Sequence, residues 1–201
     1  MPRVLSPEDV EDFRRRLCVA AEGLFAERGI AAVTMRELAQ ALGVSAMTPY
    51  RYFRDKDAIL AAVRAAAFNR FATALETANA GPGDAVERSR RTGQAYVDFA
   101  LAEPQAYRLM FDLSQPTEGD YPELQAALAR ARRTLTAHVE ALIEAGLLHG
   151  DAELMGHMFW AGLHGVLMLR LADQLSPSID PDRLQTALIA ALTRGLVGAP
   201  A

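Results

Sequence analysis

Residues 34–53 read TMRELAQALGVSAMTPYRYF, and how this stretch divides decides the fold. Thr34-Met35-Arg36-Glu37 is a capping box: the threonine oxygen accepts from the amide three residues on, and the glutamate reaches back. It predicts a short helix from Thr34 to about Leu42. Gly43 permits a sharp turn and Ser45 is a second N-cap candidate, predicting a second helix from Ser45 to Phe53. Pro49 is the obstacle, because proline lacks an N–H and its ring clashes with the carbonyl four residues back. With Ser45 as cap, Pro49 is the fourth helical position and costs only the first intrahelical bond; one residue later, no donor is needed at all. Two short helices joined by Gly43-Val44-Ser45 make a helix-turn-helix. The first would cross a DNA backbone and the second enter the major groove.

Outward from this stretch the chain stays at helical period. Val10, Phe13, Leu17, Ala20, Ala21, Leu24 and Phe25 form one apolar stripe, opened by Ser6-Pro7-Glu8-Asp9 and closed by Gly29. Further helices are predicted from Asp57 to Asn79, Asp84 to Glu103, Pro104 to Phe111, Pro122 to Ala145, Asp151 to Leu175 and from Asp180 onward, with DLSQPTEGDYP as a loop. No alternating strand pattern competes, so the chain is expected to be all-α. The division expected is an N-terminal three-helix helix-turn-helix domain, residues 1–56, and a C-terminal helical domain, residues 57–201, about nine helices in all.

The net charge of −4 argues against nucleic acid, but its distribution argues for it. Residues 28–56 hold five basic and two acidic side chains, a net +3, whereas residues 57–201 hold 12 basic and 17 acidic, a net −5. A basic segment on an acidic body fits a modular nucleic-acid binder. One cysteine, Cys18, excludes an intramolecular disulfide framework, and the charged start has no secretory apolar run. A cytoplasmic location is expected.

The run LFAERGIAAVTMRELAQALGVSAMTPYRYFRDKDAIL, residues 24–60, resembles the DNA-binding domain of TetR-family transcriptional regulators. It carries ERGI at a helix end, then T-x-R-x-[IL]-A-x-x-[AL]-G-V-S, then Y-x-Y-F-x-x-K-x-x-[IL]-L. Pro49 stands where that family more often has leucine. The resemblance implies that Thr34 caps its helix and touches phosphate, and that Arg36 reaches a base or phosphate. It places Ala46, Met47 and Thr48 at the base-facing start of the second helix, with Ser45, its expected cap, counted among the DNA-binding residues. Tyr50 and Tyr52 match phosphate positions, Arg51 a base or backbone contact, and Lys56 a lysine that holds the backbone. The chemistry agrees, since arginine reads guanine bidentately and Tyr, Thr and Lys position phosphates. Phe53 reads mainly as a core aromatic, and Tyr52 reads as readily as a core aromatic as a phosphate contact.

The larger domain resembles the same family through FWAGLHGVLML, residues 159–169, whose Trp160, His164 and Gly165 are similar to the W…HG subgroup; YVDFALAEPQAYRLMF, residues 96–111, fits it too. That implies a small-molecule effector and a homodimer. Residues 154–172 are almost continuously apolar. Their histidines and Arg170 argue against a membrane span. A helix buried on two sides, one of them by a second subunit through the last two helices, is expected instead. Phe68, Phe71, Tyr96, Phe99, Tyr107, Met110, Phe111, Met155, Phe159, Trp160 and His164 are the candidate effector lining, for a ligand that is apolar or aromatic. Arg108 is the nearest cation by sequence.

His157 and His164 lie about 10 Å apart along a helix, too far to share an ion, so no metal is expected. No catalytic constellation or phosphate loop is present, and no cofactor or enzyme activity is expected. The expected function is a ligand-responsive transcriptional repressor on a palindromic double-stranded operator. The alternative is a small-molecule-binding protein or enzyme with a degenerate DNA-binding head.

Overall fold

The computed structural model describes residues 6–112 and 121–197; most of the DLSQPTEGDYP loop lies outside them. Among the described residues there are eight α-helices, one 3-10 turn and no strand. The helices are α1 Pro7–Arg28, α2 Met35–Ala41, α3 Lys56–Ala80, α4 Ala85–Ala102, α5 Pro104–Met110, α6 Pro122–Glu144, α7 Ala152–Leu171 and α8 Pro181–Val197, and the 3-10 turn is Pro49–Arg51.

Local chemistry sets most ends. Capping boxes join Ser6 with Asp9, Thr34 with Glu37 and Asp84 with Glu87. Asp151 caps α7 through the amides of Glu153 and Leu154, and Asp180 accepts from Arg183 N at 2.7 Å at the start of α8. Asp55 rather than Asp57 caps α3, accepting from Ala58 N at 2.7 Å. Gly43 and Gly146, at φ +66° and +70°, close α2 and α6. In both, the amide beyond the glycine bonds the carbonyl five residues back, the left-handed C-cap that only glycine enters freely.

Two expectations need correction. The segment Ser45–Phe53 is not an α-helix: turn residues lead into the 3-10 turn Pro49–Arg51. Pro49 cannot donate to the Ser45 carbonyl; that oxygen accepts from Thr48 N at 2.9 Å, Arg51 N and Tyr52 N bond three residues back, and only Phe53 N reaches four back, to Pro49 O at 3.0 Å. Nor does Ser45 cap; its hydroxyl lies 3.0 Å from that of Thr48. The second correction is at α7, which ends at Leu171 and not Leu175. Asp173 takes φ +53°, and Gln174 N bonds Leu169 O at 2.9 Å, making the same left-handed cap without glycine.

The structure forms two compact units, Met1–Asn69 with Gln105–Leu128, and Arg70–Pro104 with Ala129–Ala201. In the first, Phe13, Leu17 and Phe25 of α1 pack with Val33, Leu38, Phe53, Ile59, Leu60, Val63 and Leu109. Leu17 and Leu38 are wholly buried, so truncating either to alanine costs about 2–5 kcal/mol. In the second, α7 packs on α4 and α8, and Val139, Leu148 and Met155 form a small core. Gly156 is required there: a Cβ would come within 2.7 Å of the Leu135 carbonyl oxygen. By length and composition α3 could cross a membrane, but 61% of its most apolar stretch is buried in the fold.

Candidate nucleic-acid interface and effector cavity

The first unit brings the helix-turn-helix residues to one small head. The α2 cap holds Thr34: its N and Oγ1 each donate to Glu37 Oε2 at 2.8 Å, and Oγ1 accepts from Glu37 N at 3.3 Å. Thr34 remains exposed. Glu37 also accepts from Arg28 Nη2 at 2.6 Å. The Thr34 hydroxyl first, and then Arg28, pull the Glu37 carboxyl down to about 2.

Arg36, Ser45, Ala46, Met47, Tyr50 and Arg51 are all exposed, and Thr48 is half-buried. Met47, an apolar side chain, is 69% exposed and available to a partner on this face. Charges in this head divide into paired and unpaired. Arg28 is bound to Glu37, Arg54 to Asp55 and the Tyr121 hydroxyl, and Lys56 Nζ donates to Ile30 O at 2.8 Å. Arg36 and Arg51 have no side-chain partner among the described residues, so theirs are the guanidiniums open to phosphate or base. Tyr52 is drawn inward. Its ring stacks on Phe13 with centroids 4.1 Å apart, and its carbonyl accepts from Arg14 Nη1 at 3.0 Å.

In the second unit a cavity of about 690 Å³ opens between α4, α6, α7 and α8, a size that holds a small organic ligand. Its apolar wall is Val86, Leu142, Leu147, Leu148, Phe159, Leu163, Ile189 and Ala190. Polar groups enter from Ser89, Arg90 and Gln94 of α4, His138 of α6, and Gln185, Thr186 and Thr193 of α8. His138 Nδ1 is hydrogen-bonded to Ser89 Oγ at 3.1 Å. Burial pushes this imidazole down to about 4, so it is neutral at physiological pH.

Of the eleven side chains the sequence nominated for the effector, Phe159 alone lines this cavity. Phe71 packs edge-on against Tyr96 and Phe99 at 5.1 and 5.4 Å, and Met155 is buried in the small core. Trp160 lies half-buried between His157 and His164, its ring centroid 5.7 and 6.4 Å from theirs. In the first unit Phe111 sits edge-on to Phe68 and Tyr107, and Met110 is buried. Arg108 does not line the cavity; Arg90 does. His157 Nδ1 bonds Glu153 O at 2.8 Å, which occupies it within its own helix. Sequence reasoning missed His138, whose one signal is its place at helical period between the apolar Leu135 and Leu142 of α6.

The comparisons with known proteins agree with the all-helical fold. A family model described as the tetracyclin repressor-like C-terminal domain matches residues 89–192, and one described as bacterial regulatory proteins of the tetR family matches residues 17–63. The HTH-type transcriptional activator FasR of Mycolicibacterium smegmatis is 30% identical over 133 residues, 66% of this chain and 59% of that protein. The chain thus spans about three-fifths of the length of that curated relative. A structure of a protein of unknown function from Rhodococcus sp. RHA1 is 28% identical with a TM-score of 0.80, covering 98% of this chain and 99% of that one. PfmR of Thermus thermophilus, a TetR-family transcriptional regulator, shares the fold at 24% identity and a TM-score of 0.68, over 90% of this chain and 98% of that one.

Proposed function

We propose, because the chain belongs to the TetR family of bacterial regulatory proteins, that it is a homodimeric DNA-binding transcriptional regulator controlled by a small effector. The observation that carries the reading is the pair of unpaired, exposed guanidiniums, Arg36 and Arg51, beside the exposed run Ser45–Met47 and Tyr50. Phosphate contacts from Thr34, Tyr50, Tyr52 and Lys56 would fix the register, while Arg36, Arg51 and Thr48 would meet base edges. Ala46 and Met47 would supply apolar contacts. Tyr52 contributes from a largely packed position, so its share is through its hydroxyl edge alone.

Two subunits would join through α7 and α8. Leu154, Met158, Ala161, Gly165 and Met168 recur at intervals of four and three, an apolar seam on α7 that its C-cap Ala172 continues. Leu154 is 60% exposed, and Ala161 and Ala172 are exposed with it. Ala187 and Ala191 of α8 are exposed small residues that permit close approach. A twofold dimer reads a palindromic operator.

The effector would occupy the α4–α6–α7–α8 cavity and act by binding one state of the dimer better than the other. Repression is the default sign, because a bound dimer occludes the DNA it covers and needs no further partner surface. The curated relative is an activator, so a transcription assay on the operator-bearing promoter decides the sign for this chain.

A second reading, a ligand-binding protein with a degenerate head, draws support from the short 3-10 turn in place of a full reading helix. Fluorescence anisotropy at fixed salt on a duplex selected from a random pool, against a scrambled duplex, separates the two. The regulator binds the selected duplex at least about a thousandfold tighter. Equal affinity for both leaves the ligand-binding reading.

A further inference from the structure

Arg90 of α4 lines the cavity between α4, α6, α7 and α8, and it also lines a second, open depression of about 500 Å³ formed with Pro82, Gly83, Glu87 and Arg91. Arg90 therefore stands where an apolar interior meets an open polar notch. It is exposed and has no hydrogen-bond or ion-pair partner among the described residues. Beside it Arg91 donates from Nε to Ala78 O at 3.3 Å and keeps a buried Nη2 with no hydrogen-bond partner.

The carboxylates nearby are already engaged. Asp84 Oδ1 accepts from Glu87 N at 2.9 Å, and Glu87 Oε2 accepts from Asp84 N at 3.2 Å, both in the cap of α4. Inside the cavity the wall is mostly aliphatic, with Phe159 its one aromatic hydrocarbon side chain beside the His138 imidazole among the described residues. His138 presents a neutral imidazole there, so Arg90 is the one cation among the described lining residues.

We propose, building on the reading of this cavity as the effector site, that the effector is an aliphatic amphiphile with an oxyanion head. Its chain lies among Val86, Leu142, Leu148, Leu163 and Ile189, and its head, a carboxylate or a phosphate monoester, rests on the Arg90 guanidinium. Arginine suits this position because its planar fork of donors meets two oxygens of either head at once. A neutral guest of the same length would fill the wall equally well and leave the guanidinium facing it unpaired. Aliphatic walls favour a flexible chain over the stacked ring system that Phe- and Tyr-rich linings select.

The test is isothermal titration of the full-length protein with decanoate, decyl phosphate and 1-decanol, repeated on Arg90→Gln, Arg90→Met and Arg90→Lys. The native protein should bind at least one of the anions about tenfold tighter than the alcohol, and the tighter anion identifies the head. That ratio should fall to near one in Arg90→Gln and Arg90→Met, survive in part in Arg90→Lys, and narrow as salt rises. Decanol binding as tightly as both anions overturns the proposal. So does a ratio unchanged in the two neutral variants. If none of the three binds, the underlying reading of the cavity falls with it; if only the discrimination fails, the cavity remains an effector site for a neutral ligand.

Discussion

Arg28 Nη2 donates to Glu37 Oε1 at 2.6 Å, which pins the last turn of α1 to the first turn of α2. Glu37 also closes the capping box on Thr34. One carboxylate thereby sets both the start of α2 and its place against α1. Hydrogen bonds from Thr34 and then Arg28 lower its pKa from 4.5 to about 2. A lowered folded pKa gives stability that is present above the unfolded value and is lost as pH falls through the folded one. Thermal melts should therefore show the head losing stability between about pH 4.5 and 2. Glu37→Gln should start less stable at neutral pH and lose less across that window. Parallel pH profiles for the two proteins would show that the carboxylate is not the source.

His138 gives the opposite arrangement of charge with the same sign of slope. Burial lowers its pKa from 6.5 to about 4, so the folded state excludes a proton that the unfolded chain accepts. Stability is full above pH 6.5 and is lost as pH falls toward 4, by up to about 1.4 kcal/mol per pH unit. His138→Gln should flatten that limb while keeping a hydrogen bond to Ser89. His164 is shifted down by burial in the same direction, so a residual slope should persist in the variant.

Lys56 donates to the Ile30 carbonyl at 2.8 Å, which holds its ammonium at the start of α3 beside the turn after α1. If this ammonium meets phosphate, Lys56→Ala weakens binding to every duplex by a similar factor. The slope of log affinity against log salt should fall by about one per subunit. A change in the preferred sequence with no change in slope would make Lys56 an organiser of the head and not a phosphate contact.

The apolar seam on α7 predicts a dimer at micromolar concentration. Met158→Glu places a charge on that seam and should give a monomer by sedimentation, with helix content retained. Dimerisation unaffected by Met158→Glu would move the interface elsewhere.

Much of the fold was legible because its signals are local. Ser6, Thr34, Asp84 and Asp151 cap helices through bonds to amides two or three residues away, and Gly43 and Gly146 close helices by entering a backbone region closed to most residues. The miss at Asp173 follows from the same rule, because a non-glycine residue in the left-handed region leaves little mark on the sequence. Pro49 announced a disturbance that the sequence reading undervalued: with no N–H at Pro49 the Ser45 carbonyl bonds Thr48 N instead, and three-residue bonds at Thr48, Arg51 and Tyr52 stand where an α-helix was expected. The cavity was not legible. Phe71, Tyr96 and Phe99 drew notice as aromatics, yet they satisfy one another edge to face. Val86, Leu142 and Ile189 look like any inward positions on amphipathic helices. A cavity is the volume four helices fail to fill, and no local pattern records it.

The central claim, that the head built around Arg36 and Arg51 reads DNA sequence, is tested most directly by selecting bound duplexes from a random pool. Native protein, Arg36→Ala and Arg51→Ala are taken through the same selection and sequenced in parallel at one salt concentration. The account predicts that native protein enriches an inverted repeat with half-sites about one helical turn apart. Each alanine variant should relax preference at about one position per half-site, at about 1–3 kcal/mol. A native selection that enriches no common sequence over the starting pool, or enriches the same one with the same strength in both variants, would contradict it.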